Sequence, residues 1–170
     1  AAAAALEKVV ALDPRDIFGA GLKLAVLGRA DAPAAPPTPY VERLFDDYAD
    51  RFDVALVDRL RYTVPQTLAA LVLRHAGEAA RFGLVSDIGC GTGLFGVEFR
   101  AHADRLEGFD LSAGMLAKAA EKAVYDHLAQ ADLSLPAEAS GLFTDGPEAR
   151  ADLVSAADVL MYLGDLAEVF

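Results

Sequence analysis

The sequence predicts an α/β fold, a doubly wound and mostly parallel sheet with helices on both sides. Two observations point to it. From residue 83 onward, apolar stretches short enough for strands alternate with helical patterns in the order strand, helix, strand, helix, strand, strand. The first of these strands runs directly into glycines and opens a helix, and acidic residues close the first three. In open α/β sheets that end of the strands is where ligands bind.

The elements follow in order. Leu6, Val9, Val10 and Leu12 have helical spacing, and Asp13-Pro14 ends that helix. A second helix is expected from Asp16 to Leu27, with Phe18, Leu22, Ala25 and Val26 on one side and Gly28 as its stop. Residues 1–28 thus form a helical pair. Residues 29–39, rich in proline and alanine, read as a linker. A helical lead-in spans residues 40–82. Its Leu44, Tyr48 and Phe52 lie four apart, and a further helix starts at Thr63 and Pro65 and runs to Ala76.

The α/β part, residues 83–170, begins with a strand at Leu84–Ile88 and a helix at Leu94–His102. A strand at Leu106–Phe109, a helix capped by Ser112 and running to Lys122, and a weaker strand at Leu128–Ala131 come next. A fourth strand is expected at Leu153–Leu160. Pro136–Arg150 reads as loop or short helix, and a new helix is expected toward Phe170.

Composition narrows the chemistry. A net charge of -11 argues against nucleic acid as a partner, because its binders carry a basic face. A hydrophobic share of 54% fits a folded domain. The single cysteine, Cys90, allows no internal disulfide or Cys-rich zinc site. No apolar run approaches the roughly 20 residues of a membrane span, and no basic segment precedes Ala1–Ala5 as in a signal peptide. A cytoplasmic protein with no membrane partner is expected.

The glycine loop has two readings. Gly91-x-Gly93-x-x-Gly96, with Asp110 lying 19 residues past Gly91, fits the fingerprint of a dinucleotide site and a dehydrogenase. Asp87-x-Gly89-x-Gly91-x-Gly93 starts earlier, at the end of the strand itself. A carboxylate at Asp87 repels a pyrophosphate and attracts a cation, which favours this second reading.

Asp87-Ile-Gly-Cys-Gly-Thr-Gly-Leu94 resembles the first motif of class I S-adenosylmethionine-dependent methyltransferases, and Gly108-Phe-Asp110-Leu-Ser112-x-x-Met115-Leu116 resembles their second. Gln130-Ala-Asp132-Leu133 resembles the third, and Asp152-Leu-Val-x-x-Ala-Asp158-Val-Leu160 the fourth. The resemblance implies the Rossmann-like fold of that family. It also implies a methyltransferase domain over residues 40–170, with S-adenosyl-L-methionine as cofactor. Only four strands are read before the chain stops, which suggests a fold cut short after the fourth. Leu6-Glu-Lys-Val-Val10 followed by Ala-Leu-Asp-Pro-Arg15 is similar to the end of a tetratricopeptide repeat, a protein-recruiting element.

By this resemblance Gly89, Gly91 and Gly93 surround the methionine portion of the cofactor, with Asp87 near its amino group. Asp110 accepts from the ribose hydroxyls, and Leu111 and Met115 pack on the adenine. Asp132 accepts from the adenine amine beside the Leu133 N–H, and Ala157 closes the far side of the sulfonium. Candidate acceptor contacts are Tyr48, as a lid residue, with Asp158 and Tyr162 past the fourth strand. Phe52 is expected in the core. Cys90 reads as a small buried filler. His75, His102 and His127 show no ligand spacing, so no metal is assigned.

The expected function is methyl transfer to a small-molecule or protein acceptor. The fourth motif has no Asn-Pro-Pro-Tyr or Pro-Cys signature of base methylation. The alternatives are a cofactor-binding interaction module that does not turn over, and an NAD-dependent oxidoreductase.

Overall fold

The computed structural model describes residues 1–142, 150–164 and 166. Its centre is a parallel sheet of four strands among the described residues, in the order β3-β2-β1-β4. The strands are β1 (Phe82–Ile88), β2 (Ala103–Asp110), β3 (His127–Gln130) and β4 (Leu153–Ser155). Asp87 pairs with Gly108 on one side and Ser155 on the other, so the ends of the central strands are in register. The predicted Rossmann-like arrangement is the observed one, preceded by N-terminal helices.

Helices cover both faces. On one, α4 (Val64–Ala76) and α5 (Leu94–Phe99) bury Ala69, Phe95 and Phe99 against Val85, Ala103 and Leu106 of β1 and β2. The Phe95 and Phe99 rings stack at 5.1 Å. A second apolar cluster joins Ile88 and Phe109 to Ala131 and Leu133. The helix α6 (Ala113–Glu121) starts where expected, because the Ser112 hydroxyl accepts from the Met115 N–H at 3.0 Å.

Before the sheet come α1 (Ala2–Leu12), α2 (Ala20–Val26) and α3 (Thr38–Asp53). The start of α2 is later than expected because Asp16 folds back as a cap. Its carboxylate accepts from the N–H groups of Ala20 and Gly21 at 2.6 and 2.9 Å. The buried side of α2 is Ala20 and Leu24, not the expected Phe18 and Val26, and Val26 is 89% exposed. Thr38 and Pro39 belong to the first turn of α3 rather than to the linker, since proline suits a helix start. The helix then runs on through a π-helical turn, Val54–Arg59.

Two further differences lie near the sheet. The predicted helix through His102 ends in a 3-10 turn, Arg100–His102. The predicted strand Leu153–Leu160 stops at Ser155, and Leu160–Tyr162 forms a 3-10 turn. The chain leaves the sheet because Val159 turns back onto Gly89, where a Cβ would overlap it, and Asp158 takes a left-handed φ of 54°. Between Pro136 and Arg150, α7 (Ala137–Ser140) is a short helix, and residues 143–149 lie outside the described residues. The helix expected toward Phe170 also lies outside them.

Candidate functional site

The carboxyl ends of the four strands open onto one cavity of ≈ 750 Å³, within the usual span of small-molecule sites, about 300–1,000 Å³. Asp87, Gly89 and Gly91 line it from β1 and its loop, and Asp110, Leu111 and Met115 from β2 and α6. Asp132 and Leu133 reach it from beyond β3, and Ala157 from beyond β4. Tyr48, Asp158 and Tyr162 line it as well.

Gly93 is the exception. It sits at the start of α5 with φ 87°, and its Cα faces Tyr125 and Ala119 rather than the cavity.

The glycines therefore divide by task. Gly89 admits Val159, whereas a Cβ on Gly91 (φ 55°) would meet nothing within 4 Å. Gly91 keeps a left-handed turn and open space beside it. Gly93, Gly96 and Gly108 all lie against the Tyr125 ring, where an added Cβ would come within 2.5–2.9 Å of its atoms. Gly96 is thus used for internal packing, which accounts for the Gly91–Gly96 spacing without a dinucleotide.

Asp87 is 1% exposed, and its carboxylate accepts from the Tyr125 and Ser155 hydroxyls, each at 2.6 Å. Burial pushes its carboxyl up to about 6, against the two hydrogen bonds and with help from the Asp110 charge. Asp110 accepts from the Gly91 N–H at 2.8 Å and the Ser112 N–H at 2.9 Å. Burial raises its carboxyl too, opposed by these backbone bonds. Asp132 accepts from the Ser134 N–H and hydroxyl at 2.9 and 2.6 Å.

The roof of the cavity is α3. Glu42, Asp46 and Asp53 share one side of it and tie it to the strand ends. Gln130 donates to Glu42 at 2.9 Å, and Asp46 accepts from the Ser112 hydroxyl and the Gly114 N–H at 2.5 and 2.9 Å. Asp53 accepts from Thr92 at 2.5 Å and from Lys122 at 2.7 Å. Lys122 also donates to the Thr92 carbonyl at 2.7 Å.

The neighbouring side of α3 presents Phe45, Tyr48 and Phe52 to the cavity. Phe52 is therefore a cavity residue, not a core residue. An amphipathic helix must bury its apolar side, and here that side closes a cavity. Phe45 meets Tyr162 edge to face at 5.2 Å.

Residue spacing did not single out Tyr125, Ser155, Thr92, Asp46, Asp53 or Tyr62. Only Asp46 and Asp53 carried a signal, as acidic residues that share one side of an amphipathic helix with Glu42. Cys90 is buried, and burial raises its thiol well above the usual value. Among the described residues no three His, Cys, Asp or Glu side chains gather as a metal site. No described helix is long and apolar enough to cross a membrane.

Among solved structures, the chain is similar to DhpI in complex with SAH, at 26% identity and TM-score 0.47 over 65% of this chain and 48% of that one. It is also similar to an S-adenosylmethionine-dependent methyltransferase from Clostridium acetobutylicum ATCC 824, at 21% identity and TM-score 0.47 over 62% and 42%. A third is the magnesium protoporphyrin IX methyltransferase of Synechocystis PCC 6803 with bound SAH, at 18% identity and TM-score 0.46 over 57% and 52%. The matches thus span about half the length of these proteins. No curated protein gives a significant match. Residues 86–170, half of the sequence and all of the glycine loop, match the methyltransferase domain family, and the chain belongs to that family.

Proposed function

We propose that the protein binds S-adenosyl-L-methionine in this cavity and transfers its methyl group to a small-molecule or protein acceptor. The observation that carries the reading is the convergence of residues from all four strand ends on one cavity, nine of the ten expected cofactor residues among them. The donor set fits the group. Open space beside Gly91 leaves room for close approach, and the carboxylates of Asp87, Asp110 and Asp132 suit a ligand with a cationic end and several hydroxyl and amine donors.

When bound, the cofactor supplies an electrophilic methyl group on a sulfonium. Asp87 and the Gly89–Gly91 turn would face its methionine portion. Asp110 would accept from the ribose, and Leu111 and Met115 would flank the adenine. Asp132 and Leu133 would read the adenine edge, and Ala157 would close the sulfonium side. The α3 roof covers the cavity, and alignment of the two reactants would be the main contribution of the protein.

The helical pair α1–α2 fits the end of a tetratricopeptide-like repeat that recruits a protein partner. Leu12 and Val26, 86% and 89% exposed, offer apolar surface for such a stack.

Calorimetric titration of the full-length protein with S-adenosylhomocysteine, and with NADH for comparison, tests the reading. Saturable binding of the first alone is expected. Binding of NADH alone would overturn it.

A further inference from the structure

The cavity holds more than the residues assigned to the cofactor. Beside the first glycine, Tyr62 and Asp158 line it together. Asp158 is held there by a left-handed turn, φ 54°, whose next residue, Val159, packs on Gly89. A non-glycine residue in that conformation is uncommon and is kept where the surrounding structure demands it. The Tyr62 hydroxyl faces the Asp158 carboxylate. Burial and that charge raise the phenol well above its usual value, and the Asp87 charge adds to the effect.

Around this pair the wall is aromatic and apolar. Phe45, Tyr48, Phe52 and Tyr162 line it, the last meeting Phe45 edge to face, with Leu56 and Leu60 from the π-helical turn and its end. Among the described residues the cavity is lined by no Lys, Arg or His. Among the described residues an anionic acceptor would meet four carboxylates in the cavity and no cation to pair with.

We propose that the methyl acceptor is an uncharged, flat, apolar molecule whose hydroxyl donates to Asp158. This rests on the methyltransferase reading above. In the step it serves, the acceptor oxygen bonds to the methyl carbon as the carbon–sulfur bond breaks, and that electron pair stays on sulfur. The hydroxyl proton passes to Asp158, and the products are a methyl ether and a thioether. A hydroxyl needs such a base, because an uncharged alcohol or phenol is a poor nucleophile until its proton leaves.

The test is binding to the full-length protein saturated with S-adenosylhomocysteine, measured by calorimetry with three probes. These are 2-naphthol, 2-methoxynaphthalene, which has no donor, and the anion 2-naphthoate. Naphthol is expected to bind at least about tenfold tighter than either of the others, a difference of about 1.4 kcal/mol. Asp158→Asn should shrink its lead over naphthoate while S-adenosylhomocysteine affinity stays within about twofold. Equal binding of naphthol and naphthoate overturns the acceptor class. A fall in S-adenosylhomocysteine affinity as large as that for naphthol assigns Asp158 to the cofactor instead, and also overturns it. If S-adenosylhomocysteine itself fails to bind, the cofactor reading falls and this one with it.

Discussion

The Tyr125 hydroxyl donates to the buried Asp87 carboxylate at 2.6 Å, while its ring lies against the backbone of Gly93, Gly96 and Gly108. One side chain thus supports the glycine loop from below and satisfies the charge at the end of β1. Tyr125→Phe keeps the ring and removes the donor. The expected cost is about 1–3 kcal/mol, the penalty for leaving a buried acceptor short of a partner. Urea denaturation of the two proteins checks it, and a change below a few tenths of a kcal/mol would remove the hydroxyl from this role.

Asp87 also makes stability depend on pH. Its carboxyl is held at about 6 in the fold by burial, against an ordinary value of 3.8. Between those values the folded protein keeps a proton that the unfolded chain has lost. The contribution is therefore fully present below about pH 4, falls as pH rises to about 6, and is constant above, with a span of about 3 kcal/mol. The difference between the parent and Asp87→Asn across pH 4–7 isolates it from other groups such as Asp126, whose carboxyl Arg100 lowers. A difference that does not vary with pH would show that Asp87 is ionised throughout.

Asp110 was legible before the structure, and so was most of the cavity floor. Strand ends, glycines and a following acid are local features, and the parallel order of strands then brings them together. What the sequence concealed is what acts across distance. Tyr125 and Asp87 lie 38 residues apart, Thr92 and Asp53 39, and Ser112 and Asp46 66. No periodicity marks such pairs. The end of β4 was concealed for a different reason. Val159 and Leu160 are as apolar as a strand, but Val159 is half-buried by folding back over Gly89 rather than by pairing. Phe52 obeyed its helical spacing, and spacing does not distinguish a core from a cavity.

The Asp110 carboxylate holds the Gly91 and Ser112 N–H groups and also faces the cavity. Asp110→Ala should weaken S-adenosylhomocysteine binding by about 1–3 kcal/mol through lost charge-assisted hydrogen bonds. Calorimetry measures this directly, and an unchanged affinity would place the ribose elsewhere.

The acidic side of α3 predicts that the roof and the glycine loop move together. Asp53 joins Thr92 to Lys122, whose other bond is to the Thr92 carbonyl. Asp53→Ala frees that end of the roof without touching a cavity-lining side chain other than Thr92. Faster amide exchange in both 38–59 and 89–93 is expected on loss of this tie, since opening follows the contacts that resist it. Faster exchange in α3 alone would show that the loop stands without the roof.

Gly91 in the loop and Gly96 in α5 should fail in different ways, which separates fold from function. A Cβ on Gly96 would lie 2.5 Å from Tyr125, a ring fixed by Asp87, so it has no room to give. Gly96→Ala is expected to destabilise the protein by about 1–3 kcal/mol, as overpacking does, because the ring must leave its bond or the helix must shift. At Gly91 a Cβ meets nothing, and the left-handed φ of 55° alone costs about 1–2 kcal/mol. Gly91→Val adds branches that point into open cavity space, so its main effect should be lost S-adenosylhomocysteine binding in a protein that still folds. Thermal unfolding and calorimetry on both variants check the contrast. If Gly91→Val bound normally, the loop would serve the fold alone. If Gly96→Ala were as stable as the parent, Tyr125 would not be held where the structure places it.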